Sequence, residues 1–231
     1  CRKSRKTRRL RKENIPSGRE DVAALLDEGK VPLGLDLETV EPVTWDLKKG
    51  NLLYLTDKEE QMTQFVKQIA HSKQKVIVLV PAYNELPEME GVTILSTKED
   101  YVAGIKKMEE NIQLRLEQQK SQHEATIVLY NQLELMNDLR MDLQSSLNYV
   151  LEKGARAGYA TVAMSGSQLN RKIDEVSKSI KLYKQAIVAM RITDQSVLNV
   201  INRPVREEPL DSQVNYYVED GFVRKVKVLM K

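Results

Sequence analysis

Residues 50–61 read GNLLYLTDKEEQ, and the fold turns on how that stretch is understood. NLLYL (Asn51 to Leu55) is a short, largely apolar run, with Gly50 before it and Thr56-Asp57 after it. Being apolar nearly throughout, it reads as a strand covered on both faces, the habit of a parallel sheet. Beyond the turn Met62, Phe65, Val66 and Ile69 recur at helical spacing, so the strand feeds directly into a helix.

Strand and helix go on alternating outward from this point, without an internal sequence repeat. Downstream lie VIVLV (76–80), VTIL (92–95), TIVLY (126–130), ATVAM (160–164) and AIVAM (186–190), each short, apolar and rich in β-branched residues. A turn at Pro81 to Pro87 separates the first two. A long amphipathic helix carries Tyr101, Val102, Ile105, Met108, Ile112 and Leu116, and a second carries Leu133, Met136, Leu139, Leu143, Leu147 and Leu151. Strands alternating with helices define an α/β fold with a mainly parallel central sheet flanked by helices. Upstream, VPLGLD (31–36) is extended, a strand is expected near Val40 to Leu47, and a short helix around Asp21 to Glu28 is ended by Gly29. At the far end VNYYV and FVRKVKVL alternate across Asp220-Gly221, which predicts an antiparallel hairpin at the edge of the sheet.

Composition narrows the class. The chain has 231 residues and is 41% hydrophobic, enough for a substantial core, which excludes disorder as its general state. Lys+Arg 36 against Asp+Glu 33 leaves a net charge of only +3, so charge alone does not announce a nucleic-acid binder. Cys1, His71 and His123 form no metal-ligand spacing, and a single cysteine makes no internal disulfide, so a reduced compartment is expected. No apolar stretch approaches the roughly 20 residues that span a bilayer, and no signal peptide is expected. The chain starts with Cys rather than Met and is read as a piece of something longer. Residues 2–12, RKSRKTRRLRK, read as a solvated tail or linker, with a patch for anionic lipid or nucleic acid as the competing reading. Two segments follow: residues 1–29, a basic tail with a short helix, and residues 30–231, the folded domain.

Ligands of open α/β sheets sit at the carboxyl ends of the strands, so the turn after Leu55 is the first place to seek chemistry. A nucleotide-hydrolysing domain needs G-x-x-x-x-G-K-[ST] there, because glycines let backbone N–H groups close around phosphate. This chain has Thr56, Asp57, Lys58, Glu59, Glu60 and Gln61 instead, with no glycine. Carboxylates at a helix N-terminus repel phosphate, since two like charges about 4 Å apart cost roughly 4 kcal/mol at an effective dielectric of 20. Thr56 followed by Glu59 instead predicts a capping box. The second place is the end of TIVLY. A motor ATPase needs an acidic residue there for magnesium and water; Tyr130 and Asn131 occupy the position, and only Glu134 offers a carboxylate.

The order of elements and several local phrases resemble an FtsK/SpoIIIE-type ATPase domain, over roughly residues 30–231. VPLGLD is similar to the segment that opens that domain. LEKGARAGYATVAMSG (151–166) resembles its arginine-bearing helix end and the strand carrying a polar sensor residue. IVAMRITDQSVLN and VNYYVEDGFVRKVKVLMK complete the likeness. Within the family the chain looks most like the terminal, degenerate ATPase domain of the membrane-anchored motors of Firmicute type VII secretion.

The resemblance implies a RecA/FtsK-like P-loop NTPase fold. It implies that Thr56 to Gln61 stand at the phosphate-loop position, and that Tyr130, Asn131 and Glu134 stand at the magnesium and water-activating position. Arg156 then lies in the arginine segment and Ser165 on the sensor strand. With the loop and the paired acids replaced, the expectation is a pseudo-ATPase with no catalytic residue, no metal and no cofactor, ATP and Mg being possible only if a neighbour rescued the site. The implied role is substrate recognition and regulation in protein export, at the cytoplasmic face of the bacterial plasma membrane. The implied partners are other ATPase domains of the same chain, exported substrates and their helical-hairpin partner proteins, in a hexamer without specific nucleic acid. An ATP-hydrolysing motor completed through Lys58 and Glu134, and a DNA translocase, are the alternatives. Helices 99–120 and 133–151 offer candidate docking faces, although such stripes are more often core than binding face.

Overall fold

The computed structural model describes residues 29–71, 74–204, 206–211 and 213–228. The basic run 2–12 and the helix expected over 21–28 lie outside the described residues. Ten strands form one sheet: β1 (Lys30–Asp36), β2 (Pro42–Asp46), β3 (Leu52–Leu55), β4 (Val76–Leu79), β5 (Val92–Leu95), β6 (Ala125–Leu129), β7 (Tyr159–Ser165), β8 (Gln185–Val188), β9 (Val214–Glu219) and β10 (Phe222–Lys227). Among the described residues five α-helices connect them: α1 (Glu59–Ala70), α2 (Lys98–Glu117), α3 (Gln132–Asp138), α4 (Met141–Lys153) and α5 (Glu175–Lys181).

The strand order is β2-β1-β10-β9-β8-β3-β7-β6-β4-β5. From β8 to β5 every neighbouring pair is parallel; β9, β10, β1 and β2 continue the sheet antiparallel. The hairpin β9–β10 turns through Asp220 (φ 48°) and Gly221 (φ 85°), the two positive-φ residues that a tight two-residue turn requires. It is not the edge, however. β10 pairs with β1, and β1 with β2, so β2 closes that side.

Side-chain alternation divides the sheet into two cores. Leu53 and Leu55 of β3 face a layer formed by α2, α3, α4 and α5, whereas Leu52 and Tyr54 face α1 with Met62, Phe65, Val66 and Ile69. Trp45 of β2 extends the α1 side, fully buried. Tyr101, Ile105, Met108 and Ile112 of α2 and Leu143, Leu147 and Leu151 of α4 are buried in the other core, so these stripes pack on the sheet and present no free docking face.

The single helix expected from Leu133 to Leu151 is two. Leu139 is extended (φ −92°, ψ 129°) between α3 and α4, while its side chain stays buried. The break is satisfied locally: Gln144 donates to the carbonyls of Met136 (3.0 Å) and Leu139 (2.9 Å), and Asp138 accepts the Ala82 N–H at 2.8 Å. Among the described residues no helix is long and apolar enough to cross a membrane.

Candidate functional site

The carboxyl ends of β3, β4, β6, β7 and β8 come together at one crest, because these strands are parallel and in register. β3 continues one residue past its ladder: Thr56 N–H donates to Ser165 O at 3.0 Å. That extension moves the helix start. The N-cap of α1 is Lys58, with no side-chain cap, so the capping box expected from Thr56 and Glu59 does not form. The Thr56 hydroxyl instead accepts the Lys58 N–H at 3.1 Å and donates to Gln61 Oε1, all within a fully buried side chain. Glu59 accepts a hydrogen bond from Asn84 Nδ2 at 2.5 Å. Asp57 turns toward the neighbouring strand and accepts the Ser167 N–H at 2.8 Å. Asp57, Lys58, Glu59 and Glu60 are exposed.

Tyr130 follows β6 on the face that packs on α1, as its alternation with Val128 requires. Fully buried, it sets its phenol 2.9 Å from the Thr63 hydroxyl and donates to Glu59 O at 3.3 Å. Burial holds that phenol above its ordinary value. The aromatic side chain therefore lies against the first two turns of α1. Asn131 adopts a left-handed conformation (φ 45°, ψ 60°) and donates to Tyr83 Oη at 3.3 Å. Glu134 is exposed and accepts from Asn137 at 2.9 Å.

Ser165 ends β7, which lies between β3 and β6. It alternates with Met164 and so points to the face opposite Tyr130, where its hydroxyl donates to Gln132 Oε1 at 3.3 Å; Gln132 Nε2 in turn donates to Ser177 Oγ at 3.2 Å. All three side chains are fully buried. Arg156 sits in the short 3-10 turn Gly154–Ala157 that precedes β7, exposed and at the opposite end of the sheet. The fold thus brings Thr56–Gln61, Tyr130, Asn131 and Glu134 together, turns Ser165 to the other face, and leaves Arg156 away from them. Sequence reasoning missed Gln132, Asn84 and Tyr83. The last two stand in the segment read only as a turn, and a buried Gln at a helix start carries no local signal.

Phosphate and magnesium do not fit these groups as arranged. The first turn of α1 carries Glu59 and Glu60 where a phosphate would need positive potential, and Tyr130 holds the flank where a carboxylate would be needed. Among the described residues no three His, Cys, Asp or Glu side chains are placed to hold a metal ion.

A mostly parallel sheet, helices on both faces and a strand-turn-helix at its crest make this an α/β domain with the architecture of the FtsK-like P-loop ATPases. Among solved structures, EssC (ATPases 2 and 3) from Geobacillus thermodenitrificans superposes with a TM-score of 0.80 at 18% identity, covering 91% of this chain and 44% of that one. Thermomonospora curvata EccC (ATPases 2 and 3), in complex with a signal sequence peptide, gives a TM-score of 0.70 at 16% identity over 96% of this chain and 43% of that one. No protein-family model matches the chain. In sequence it is similar to two secretion proteins: it is 26% identical over 212 residues to the type VII secretion system protein EssC of Staphylococcus aureus (strain MRSA252), and 25% identical over 221 residues to the ESX secretion system protein YukB of Bacillus subtilis (strain 168). These alignments cover 88% and 86% of the chain but only 14% and 15% of the two relatives.

Proposed function

We propose that this chain is a non-hydrolysing domain of a type VII secretion ATPase, which recognises exported proteins and regulates the ATPase domains beside it. The observation that carries the proposal is the Tyr130 side chain, hydrogen-bonded to Thr63 and to the backbone of the first turn of α1 where a magnesium-binding carboxylate is needed. The exposed Glu59 and Glu60 support it, since they set negative charge at the helix start that would receive phosphate. A fold without its catalytic groups still serves as a binding scaffold. The recognition role draws on the EccC structure that carries a signal sequence peptide, and the regulatory role on solved relatives that hold two ATPase domains in one chain. In this proposal the domain works at the cytoplasmic face of the membrane, in a hexamer of the complete protein.

Calorimetric titration of the 231-residue chain with Mg·ATP, beside a thermal-shift series, tests the reading, because a ligand of the folded state must raise its stability. Neither heat nor shift is expected at millimolar nucleotide. Saturable micromolar binding would overturn it.

A further inference from the structure

The end of the sheet opposite the crest carries an apolar opening that no described element covers. The β9–β10 turn at Asp220-Gly221 lies there, beside the first residue of β8, since Gln185 pairs with Glu219. Around the turn is a cavity of about 320 Å³, walled by Val197, Leu198 and Val218 and rimmed by Leu182 and Ile201. Leu182 is 79% exposed and Ile201 66%, and Phe222, next to the turn, is 59% exposed. Ile201 is held in place by the turn itself: its N–H donates to Gly221 O at 2.8 Å, and its side chain lies against Gly221. Large apolar side chains gathered around one cavity, rather than scattered singly, mark an interaction surface.

The charges at the rim are mostly cationic. Lys181 and Lys184 line the cavity against one carboxylate, Asp220, and Lys178 stands one turn before Leu182. Lys181 Nζ donates to the carbonyls of Asn170 and Lys172, whereas Lys178 and Lys184 belong to no ion pair among the described residues. Glu219 does not offset them, because Lys49 and Arg224 each hold one of its oxygens at 3.1 Å. The opening therefore suits an apolar stripe that carries carboxylates along one flank.

The sequence just upstream of Gly29 has this character. Residues 21–28, outside the described residues, read DVAALLDE, with Val22, Leu25 and Leu26 at helical spacing on one stripe and Asp21 and Glu28 together on its flank. Gly29 has φ +90°, in the left-handed region where helices commonly end, so a helix closing at Glu28 leads into β1 without a linker. It also leads in close to the opening. Gly29 O accepts the Leu47 N–H at 3.2 Å, and Lys49, in the same short 3-10 turn, reaches Glu219 at 3.1 Å. Two residues and one lysine side chain thus separate Gly29 from the β9–β10 turn, and the helix expected over 21–28 spans about 12 Å, enough to lay its stripe across that turn. We infer that residues 21–28 dock on the opening at the β9–β10 turn as an amphipathic helix, Val22, Leu25 and Leu26 toward Leu182 and Ile201, with Asp21 and Glu28 on the lysine side. The docked helix holds the basic run 2–12 at this end of the sheet, away from the crest, whether or not the crest binds nucleotide.

The test is amide hydrogen exchange and methyl NMR on the full 231-residue chain. Expected are methyl NOEs from Leu25 or Leu26 to Leu182 or Ile201, and exchange over 22–28 at least tenfold slower than in the variant Leu25→Asp, Leu26→Asp. Changing the other side of the contact, Leu182→Asp with Ile201→Asp, should remove the same protection while the amides of β3 keep theirs; both residues are exposed, so the fold survives the change. Lys184→Glu should weaken the protection about threefold, and Asp21→Lys with Glu28→Lys should restore it. Unprotected exchange over 22–28 in the wild type, or protection indifferent to the changes at Leu182 and Ile201, would overturn the inference. Protection that falls on dilution, with sedimentation as a dimer, would assign the opening to the segment of a second copy and overturn it too. A capped peptide of residues 20–28 supplies the last arm. It should shift the Ile201 methyl resonances in the Leu25→Asp, Leu26→Asp chain and leave those of the wild type unmoved; equal binding to both would show that the opening is free for a partner, against the inference.

Discussion

The Tyr130 phenol lies 2.9 Å from the Thr63 hydroxyl, tying the end of β6 to the second turn of α1 across the crest. The tie joins the two places at which a P-loop ATPase would handle phosphate and magnesium, and it does so through a fully buried aromatic ring. Tyr130→Phe keeps the ring and removes the hydroxyl, leaving Thr63 half-buried and able to find water. Its expected cost is about 1 kcal/mol in urea unfolding. A cost near zero would show that the hydroxyl pair contributes no stability and that only the ring matters.

On the opposite face Gln132 serves two buried serines at once, accepting from Ser165 and donating to Ser177. Gln132→Leu leaves both hydroxyls without a partner in an apolar layer, and should cost about 2–4 kcal/mol. Adding Ser165→Ala and Ser177→Ala removes the orphaned groups, so the triple variant should recover part of that loss. Simple addition of the three single costs would contradict a shared network.

The strands were legible wherever burial on both faces made them continuously apolar, as in Leu52–Leu55 and Ile127–Leu129. The hairpin was legible from Asp220-Gly221, since few other pairs adopt two successive positive φ values. Its place in the sheet was not. Alternation tells which face a residue occupies, whereas strand order depends on partners far along the chain, such as Asp36 opposite Val226. The cap at Thr56 failed for a related reason: a hydrogen bond to Ser165 prolongs the strand, and no residue near Thr56 announces it. The helix break at Leu139 was hidden because Leu139, Leu143 and Leu147 keep their helical spacing across it. Of the crest, the residues of the turn itself could be found by position, but Asn84 and Tyr83 reach it from a different loop.

Gly158 precedes β7 with φ at +85°, and a Cβ there would stand 1.9 Å from the carbonyl oxygen of Gln122. The same carbonyl accepts from Arg115, whose side chain also binds Ala157 O and Glu124, so the clash falls on a segment pinned at three points. Gly158→Ala is therefore expected to cost on the order of 3 kcal/mol by denaturant unfolding. Gly50 supplies the comparison. Its φ is +102°, yet nothing lies within 4 Å of the added carbon, so Gly50→Ala should cost only the backbone strain of about 1–2 kcal/mol. Equal costs at the two sites would mean that the contact with Gln122 is absorbed without loss.

Glu207 supplies the pH dependence. Its side chain is 1% exposed and accepts the N–H groups of Ile192 (2.7 Å) and Thr193 (3.0 Å) and the Thr193 hydroxyl (2.6 Å), with Arg191 Nε at 4.0 Å and Asp194 beyond it on the same turn. Burial by itself would raise the carboxyl pKa, but the hydrogen bonds from Thr193, Ile192 and Tyr216 outweigh it and hold the value below the ordinary one. The Tyr216 phenol is pushed up to about 12, by burial first and by the Glu207 charge second, so it stays neutral throughout the acid range. A carboxylate whose pKa is lower in the folded than in the unfolded chain stabilises the fold fully above the unfolded value of about 4.3. That contribution fades as the pH falls through this range toward the folded value. Glu207→Gln should then cost about 1–3 kcal/mol at pH 7, because glutamine keeps one acceptor oxygen and sets an NH2 donor where the second carboxylate oxygen accepted. Urea unfolding of both proteins between pH 7 and pH 3 should show the difference closing as the wild-type carboxylate takes up its proton. A difference that stays constant across that range would place the stabilisation in the shape of the side chain rather than in its charge.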